Sequence, residues 1–391
     1  METAPYLEAL EVSLGHIPEA QEEIVKAKQY CLRRHWFEMS EALLRALRFP
    51  DVLSIAYDFH KYAILPSRAD FSPFTYSKLL YLIVFSEPDA KDGSKAFEVL
   101  DGAAASMVAN GHTQGTHCVN CIRALANMSF GSVLEAKRLL DIVSDFVTTL
   151  QTHEVDPLLL ALLYKSRVQE YELGRQYTKF YQTAFDVVNY CERSEMLLLE
   201  PEMSALAYKT VIAALLSPET FNFGRLLMFV PFTNRLKDSS DAWLLQWVQL
   251  CNDGDVSGFE AFCTVNTEVI RSIPDIAESL PRLQEKVRLM ALLHLVFYTP
   301  AEQRTFTFQT IAQRCSLSED TVEELVLSAL ALKIIEGSID GLEGLVVVSW
   351  VQPRVLSVAE IRELAARLGS WLDVVKNASA NVTEYIKLIP Q

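Results

Sequence analysis

From Glu19 to about Phe297, apolar residues recur at spacings of three and four in short runs separated by proline or polar breaks, the mark of amphipathic helices. Ile24, Val25, Tyr30, Leu32 and Trp36 open the series, and Met39, Leu43, Leu44 and Leu47 carry it to Phe49-Pro50. The same spacing predicts helices over Phe74–Phe85, Phe97–Val108, Cys118–Met128, Val133–Leu150 and Pro157–Leu173. Further helices are predicted over Tyr177–Cys191, Met203–Leu216, Trp243–Leu250 and Phe259–Ile270. Pro50, Pro66, Pro88, Pro157, Pro201 and Pro218 stand between them, where a missing N–H costs least. No such helix is long enough to stand alone, so each must bury its stripe against the next, and antiparallel pairs stacked in a row form an α-solenoid. A strict 34-residue period is absent, which leaves an irregular helical-repeat layer, with a plain helical bundle as the alternative.

The pattern changes after Pro281. Leu283–Phe297 reads as one helix, followed by Thr299-Pro300, a second helix near Phe308–Cys315, and a third over Glu319–Leu332 with Ser318 placed as its N-cap. Two β-branched runs, Ile334–Ile339 and Leu345–Val351, flank Asp340-Gly341-Leu342-Glu343-Gly344 and predict a hairpin. Three helices and a hairpin make a winged helix. Beyond Pro353, Ser357-Val358-Ala359-Glu360 is a capping box. From there Ile361, Leu364, Leu368, Trp371, Val375, Ala378, Val382, Tyr385 and Ile389 alternate at spacings of three and four, a heptad seam too long for a small wing to cover. The seam predicts packing against helices of other chains, or else a terminal helix folded back on its own solenoid. The fold class is therefore mainly α: a solenoid of irregular helix pairs, a winged helix, and a C-terminal bundle helix.

Composition narrows the choice of partner. The 391 residues are 50% hydrophobic, with 35 Lys+Arg against 50 Asp+Glu and a net charge of −15. That length admits two or three domains, and 14 Gly, 15 Pro and 22% charged residues do not fit a disordered or collagenous chain. The acid excess disfavours DNA and anionic lipid. Seven scattered cysteines do not form a disulfide framework and fit a reducing compartment, cytoplasm or nucleus. Met1 to Leu10 carries Glu2 and Glu8 without a basic region, so a secretory or transit signal is not expected. No run of 18 uncharged apolar residues exists, so no membrane span is expected. The N-x-S/T matches at Asn127, Asn377 and Asn381 read as chance.

Candidate chemistry is sparse. His112, His117, Cys118 and Cys121 are zinc-ligand types in one window, but no second ligand pair exists, and Cys118 and Cys121 fall on the inward face of a helix with Ile122, Leu125 and Met128. His16, His35, His60, His153 and His294 are isolated from any metal or catalytic pattern, and no nucleophile elbow, phosphate loop or dinucleotide fingerprint occurs. No enzyme activity and no cofactor are expected. The third winged-helix segment begins Glu319-Asp320-Thr321-Val322-Glu323-Glu324, with Lys333 at its far end as its only basic residue. Over 281–352 six basic residues face nine acidic ones, a surface that repels phosphate and suits protein contacts. No nucleic-acid partner is expected, and a nucleic-acid-binding winged helix is the more distant alternative.

Two dispersed motifs carry a family resemblance. They are Phe221-Asn222-Phe223-Gly224 with Leu226-Leu227-Met228, and Gly337-Ser338-Ile339-Asp340 followed by Trp350-Val351-Gln352-Pro353-Arg354-Val355-Leu356. Together with the helical layer and acidic winged helix they resemble the PCI-domain subunits of the proteasome lid, in particular the non-ATPase regulatory subunit 13 family of the 26S proteasome. The resemblance covers Tyr171–Leu372; Phe229-Val230-Pro231 and the wing tip Gly341–Gly344 depart from the family pattern. It implies a helical-repeat region over 1–170, a PCI domain over 171–353 (helical to 280, winged helix from 281), and a C-terminal helix over 354–391. It also implies a non-catalytic scaffold in ubiquitin-dependent degradation, within a hetero-oligomer of other lid subunits. Neighbouring PCI subunits would meet it edge strand to edge strand, through Val346, Val348 and Trp350. C-terminal helices of PCI and MPN subunits would meet it through Ile361, Leu364, Leu368, Trp371, Val375, Val382 and Tyr385. Sister assemblies, the COP9 signalosome and translation initiation factor three, are the near alternatives.

Overall fold

The computed structural model describes residues 3–15, 17–86, 93–151, 153–195, 200–355 and 358–388, and in the last stretch the side chains of 361, 362, 364–366 and 368–379. Of the positions singled out above, Glu2, His16, Pro88, Leu356, Ser357 and Ile389 lie outside the described residues, as do the side chains of Glu360, Val382 and Tyr385. The chain divides into two compact units, 1–199 and 200–391.

The first unit is all helix. α1 (Thr3–Ser13), α2 (Pro18–Arg33) and α3 (Trp36–Ala46) pack in succession, and the short α4 (Pro50–Leu53) and α5 (Ala56–Phe59) lead through a π-turn, His60–Ile64, and a 3-10 turn, Leu65–Asp70. α6 (Pro73–Val84), α7 (Ser94–Ala109), α8 (Thr113–Phe130), α9 (Val133–Thr149), α10 (Pro157–Leu173) and α11 (Tyr177–Arg193) follow. Each packs on its sequence neighbour, and α8 also meets α6 and α10, so pair leans on pair as a helical repeat requires. α10 lies between α8, α9 and α11, which explains why Leu158 to Leu163 are buried on every side and leave no amphipathic stripe. Asp156 caps it, its side chain accepting from Leu158 N at 2.8 Å. The division expected after residue 170 falls inside this helix.

The second unit opens with α12 (Glu200–Leu216), α13 (Gly224–Met228), α14 (Val230–Lys237), α15 (Ala242–Asp253), α16 (Val256–Val265) and α17 (Thr267–Arg271). Phe223, Phe232, Trp247 and Phe259 are fully buried at its centre. The single helix expected over Phe259–Ile270 is two. At the break Asn266 Nδ2 joins its own amide on Phe262 O, each at 3.0 Å, and Thr267 Oγ1 donates to Cys263 O at 2.9 Å, so side chains compete with backbone amides for the last carbonyls of α16.

The winged helix is built from α18 (Pro274–Tyr298), β1 (Thr305–Thr307), α19 (Phe308–Cys315), α20 (Glu319–Ala331), β2 (Ile335–Asp340) and β3 (Leu345–Val351). α18 runs through Pro281, where the sequence pattern breaks. Burial of Leu283, Val287, Met290, Leu293 and Val296 along the rest of that helix outweighs the roughly 3 kcal/mol that an interior proline costs. Ser318 occupies the N-cap position of α20, but its hydroxyl lies 3.3 Å from Thr321 Oγ1 rather than on a backbone amide. The two-stranded hairpin is a three-stranded antiparallel sheet of order β1-β3-β2, with Phe306 opposite Val346 and Ile339 opposite Val346 on the other side. β1 is three residues long, below the length at which alternation can be read. α21 (Val358–Leu388) closes the chain.

Candidate protein interface

Alternation along β3 decides which side chains the wing can offer. Val346 and Val348 point inward and are 1% and 3% exposed, whereas Val347 is 45% exposed; Trp350 shares the parity of Val346 and Val348 but lies past the register shift opposite Glu336 and Gly337, and is 41% exposed. Val346 and Val348 are thus spent on the domain's own core, beneath α18, and of the three wing positions expected at an interface only Trp350 reaches the surface. Because β1 pairs with β3 over Leu345 to Val347, β3 is central, and the strand with an outer edge beside Trp350 is β2. The link between them is an Asx turn: Asp340 Oδ1 accepts from Leu342 N at 3.0 Å and from Glu343 N at 3.2 Å.

α20 carries Val322, Leu325, Val326 and Ala329 inward and exposes Asp320, Glu323, Glu324 and Leu327. This is the face a DNA-reading winged helix would present to a groove, and here it is acidic with an apolar centre. On α21 the described stripe is open: Ile361 is 49% exposed, Leu364 47%, Leu368 56%, Trp371 65% and Val375 42%. Leu372 and Val374 widen it. An apolar face of that extent is the common sign of a protein contact.

The two sequence motifs meet in space. Asn222 Oδ1 accepts from Gly224 N at 3.1 Å and from Val355 N at 3.5 Å, across 133 residues of chain. A Cβ on Gly224 would stand 2.8 Å from Val355 Cβ, so only glycine lets the segment after β3 lie this close. Beside it Arg354 Nη2 donates to Asn252 O and, at 3.0 Å, to Asn252 Oδ1. Arg314 Nη2 reaches Asp253 O at 3.4 Å, so two guanidinium groups close the C-terminus of α15, where cations are favoured. Burial pulls the Arg354 pKa down, against the pull of Asp253. Gln352 N donates to Ile334 O at 2.8 Å. Nothing in linear spacing pairs residue 222 with 355.

The metal and catalytic candidates disperse. Cys118 and Cys121 are wholly buried in α8, where burial pushes both thiols far up. His117 stacks on Phe146 with centroids 4.0 Å apart, and His112 is exposed at the start of α8. Among the described residues no group of three or more His, Cys, Asp or Glu could hold a metal ion. His294 is half-buried against Tyr298, 3.4 Å from Arg314 Nη2, and burial lowers its pKa, as do Arg314 and Arg354. No described helix is long and apolar enough to cross a membrane.

Family comparisons bear on the same regions. The model of PSD13 N-terminal repeats matches residues 23–248, and that of the PCI domain matches residues 264–350. The chain belongs to the 26S proteasome non-ATPase regulatory subunit 13 family. It is 29% identical to 26S proteasome non-ATPase regulatory subunit 13 homolog B of Arabidopsis thaliana over 308 residues, 78% of each chain. It is 30% identical to 26S proteasome regulatory subunit RPN9 of Saccharomyces cerevisiae over 353 residues, 87% of each. Eukaryotic translation initiation factor 3 subunit M of Coccidioides immitis is a weaker likeness, 25% over 45% of this chain and 37% of that protein. The winged helix is thus the PCI module of a subunit 13 family member. Arg354, Val355 and all of α21 lie past both matched ranges, while Asn222 and Asn252 lie near the end of the first range and in the gap between the two.

Proposed function

We propose that this chain is a non-catalytic scaffold subunit of the 26S proteasome lid and takes part in ubiquitin-dependent protein degradation. The observation that carries the reading is the open stripe Ile361, Leu364, Leu368, Trp371 and Val375 on a helix of 31 residues. Burying such side chains against partner helices contributes about 25 cal/mol per Å² before the cost of ordering. The partners are other lid subunits: neighbouring PCI subunits at the β2 edge beside Trp350, and C-terminal helices of PCI and MPN subunits along the stripe, continued by Val382 and Tyr385. The working division is a helical-repeat region over 1–170, a PCI domain over 171–353 and an assembly helix over 354–391, in a protein of cytoplasm and nucleus. Family membership, with relatives named as non-ATPase regulatory subunits, supports the non-catalytic role.

The test is co-sedimentation of a tagged Leu368→Asp/Trp371→Asp variant with the lid. Loss of the variant from the complex, with its own unfolding temperature unchanged, is expected. Normal co-sedimentation overturns the reading, and recovery of initiation-factor or signalosome subunits with the parent chain reassigns it to a sister assembly.

A further inference from the structure

We infer that Asn222 and Arg354 are positioning residues that fix the direction in which α21 leaves the PCI module, and so set where its apolar stripe is presented. The inference rests on the stripe being a docking surface.

Three of the four residues that follow β3 are each held by a different part of the second unit. Gln352 is tied to Ile334 at the foot of β2, Arg354 to the last turn of α15 at Asn252, and Val355 to Asn222 and against Gly224. Pro353, between the first two anchors, contributes a fixed φ. Ending a strand requires none of this; a single turn would do. The anchored stretch stops three residues before α21 begins at Val358, so the first Cα of the helix lies within about 11 Å of the last anchor. Beyond that point the described stripe side chains are exposed, which leaves the root as the place where orientation is set.

Geometry makes the root consequential. A helix of 31 residues is about 46 Å long, so a 10° change at its base carries the far end through about 8 Å. Eight ångströms exceeds one helical turn, enough to bring a heptad seam out of register with its partners. Loosening the root therefore acts as a population effect. If one-tenth of the molecules present the stripe correctly, apparent affinity falls about tenfold with the stripe intact.

The experiment uses the full-length chain with spin labels introduced as unnatural amino acids at Leu342, fully exposed at the wing tip, and at Val374 on α21. In the parent chain a narrow distance distribution is expected. In Asn222→Ala/Arg354→Ala it is expected to broaden, with co-sedimentation with the lid reduced about tenfold. Asn222→Asp keeps both acceptor bonds and is expected to restore both readouts in the Arg354 background. An unchanged distance distribution in the double variant overturns the inference, as does co-sedimentation equal to the parent. Should the double variant fail to fold, Asn222→Ala alone is read by the same criteria. If the stripe variant Leu368→Asp/Trp371→Asp co-sediments normally, the docking reading fails, and the distance distribution alone decides the positioning role.

Discussion

The ammonium group of Lys286 donates to the carbonyl oxygen of Ser217 at 2.6 Å, joining α18 to the end of α12 across 69 residues of chain. The same nitrogen donates to Ala214 O at 2.8 Å and Leu215 O at 3.1 Å, so one side chain serves three carbonyls that the C-terminus of α12 leaves open. The rings of Phe221 and Phe223 lie 5.7 and 5.1 Å from it. A lysine buried at this depth is tolerated because its three protons all find acceptors.

Burial nevertheless pushes the Lys286 pKa down to about 7, with a smaller upward pull from Cys251. The sign follows. Between about pH 7 and the ordinary lysine value the unfolded chain binds a proton that the folded chain does not, so the parent gains stability as pH rises, by at most about 1.4 kcal/mol per unit. Lys286→Met removes this dependence and leaves the three carbonyls unpaired, at a cost of about 1 to 3 kcal/mol. Urea unfolding at pH 6.5 and 8.5 checks both statements, read by tryptophan fluorescence, since Trp243, Trp247, Trp350 and Trp371 belong to the second unit. A parent and variant that move in parallel with pH would refute the coupling.

The legible features and the missed ones divide along a physical line. Periodicity placed Tyr177–Cys191, Leu345–Val351 and the seam on α21, because each is a local pattern that burial or its absence must follow. Lys286 read as one more basic residue of the module, since its acceptors are backbone atoms of a helix that sequence spacing does not bring near. Val346 and Val348 were expected to face a partner and face the core, because their side of the sheet packs on α18, a contact that strand alternation alone does not reveal. The exposed stripe was visible for the opposite reason: an apolar seam needs no long-range partner to be recognised.

Gly254 ends α15 in the left-handed region, φ +62°, with its amide and that of Asp255 bonded back to Cys251 O and Leu250 O. A Cβ there would stand 2.5 Å from Ala291 Cα on α18. Gly254→Ala therefore combines a strained φ with a backbone collision, and a loss of about 2 to 4 kcal/mol is expected in denaturant unfolding. Gly369 on α21 meets nothing within 4 Å. Alanine there is expected to raise helix content and stability slightly, by less than about 1 kcal/mol. Opposite signs at two glycines of one unit separate packing from propensity.

Thiol accessibility tests the reading of Cys118 and Cys121 as core residues. Those two, with Cys191, Cys251 and Cys315, are buried, whereas Cys31 and Cys263 are partly exposed. Burial pushes Cys251 and Cys315 up to about 12 and Cys263 to about 11, so none is a ready thiolate at neutral pH. An aromatic disulfide reagent is expected to titrate no more than Cys31 and Cys263 in the native chain, and the rest only in denaturant. Chelator treatment is expected to leave the unfolding temperature unchanged. Fast labelling of Cys118 or Cys121, or a chelator-dependent loss of stability with release of zinc, would restore the metal alternative.

His60 gives the first unit an acid sensitivity of its own. It is 5% exposed in the π-turn after α5, with Nε2 3.3 Å from the Tyr76 hydroxyl and the two rings stacked. Burial, and then the nearby Arg68, push its pKa down to about 4. As pH falls below the ordinary histidine value of about 6.5, the unfolded chain takes a proton at this position and the folded chain does not, so folding loses free energy until about pH 4. Over pH 6.5 to 5 the loss is about 1 to 2 kcal/mol. His60→Gln keeps a polar side chain against Tyr76 without a titrating group. Relative to the parent it is expected to gain that amount at pH 5 and nothing at pH 8, in urea unfolding followed by circular dichroism and by Trp36 fluorescence after the other tryptophans are replaced. Equal acid sensitivity in parent and variant would assign the effect to other groups of the helical layer.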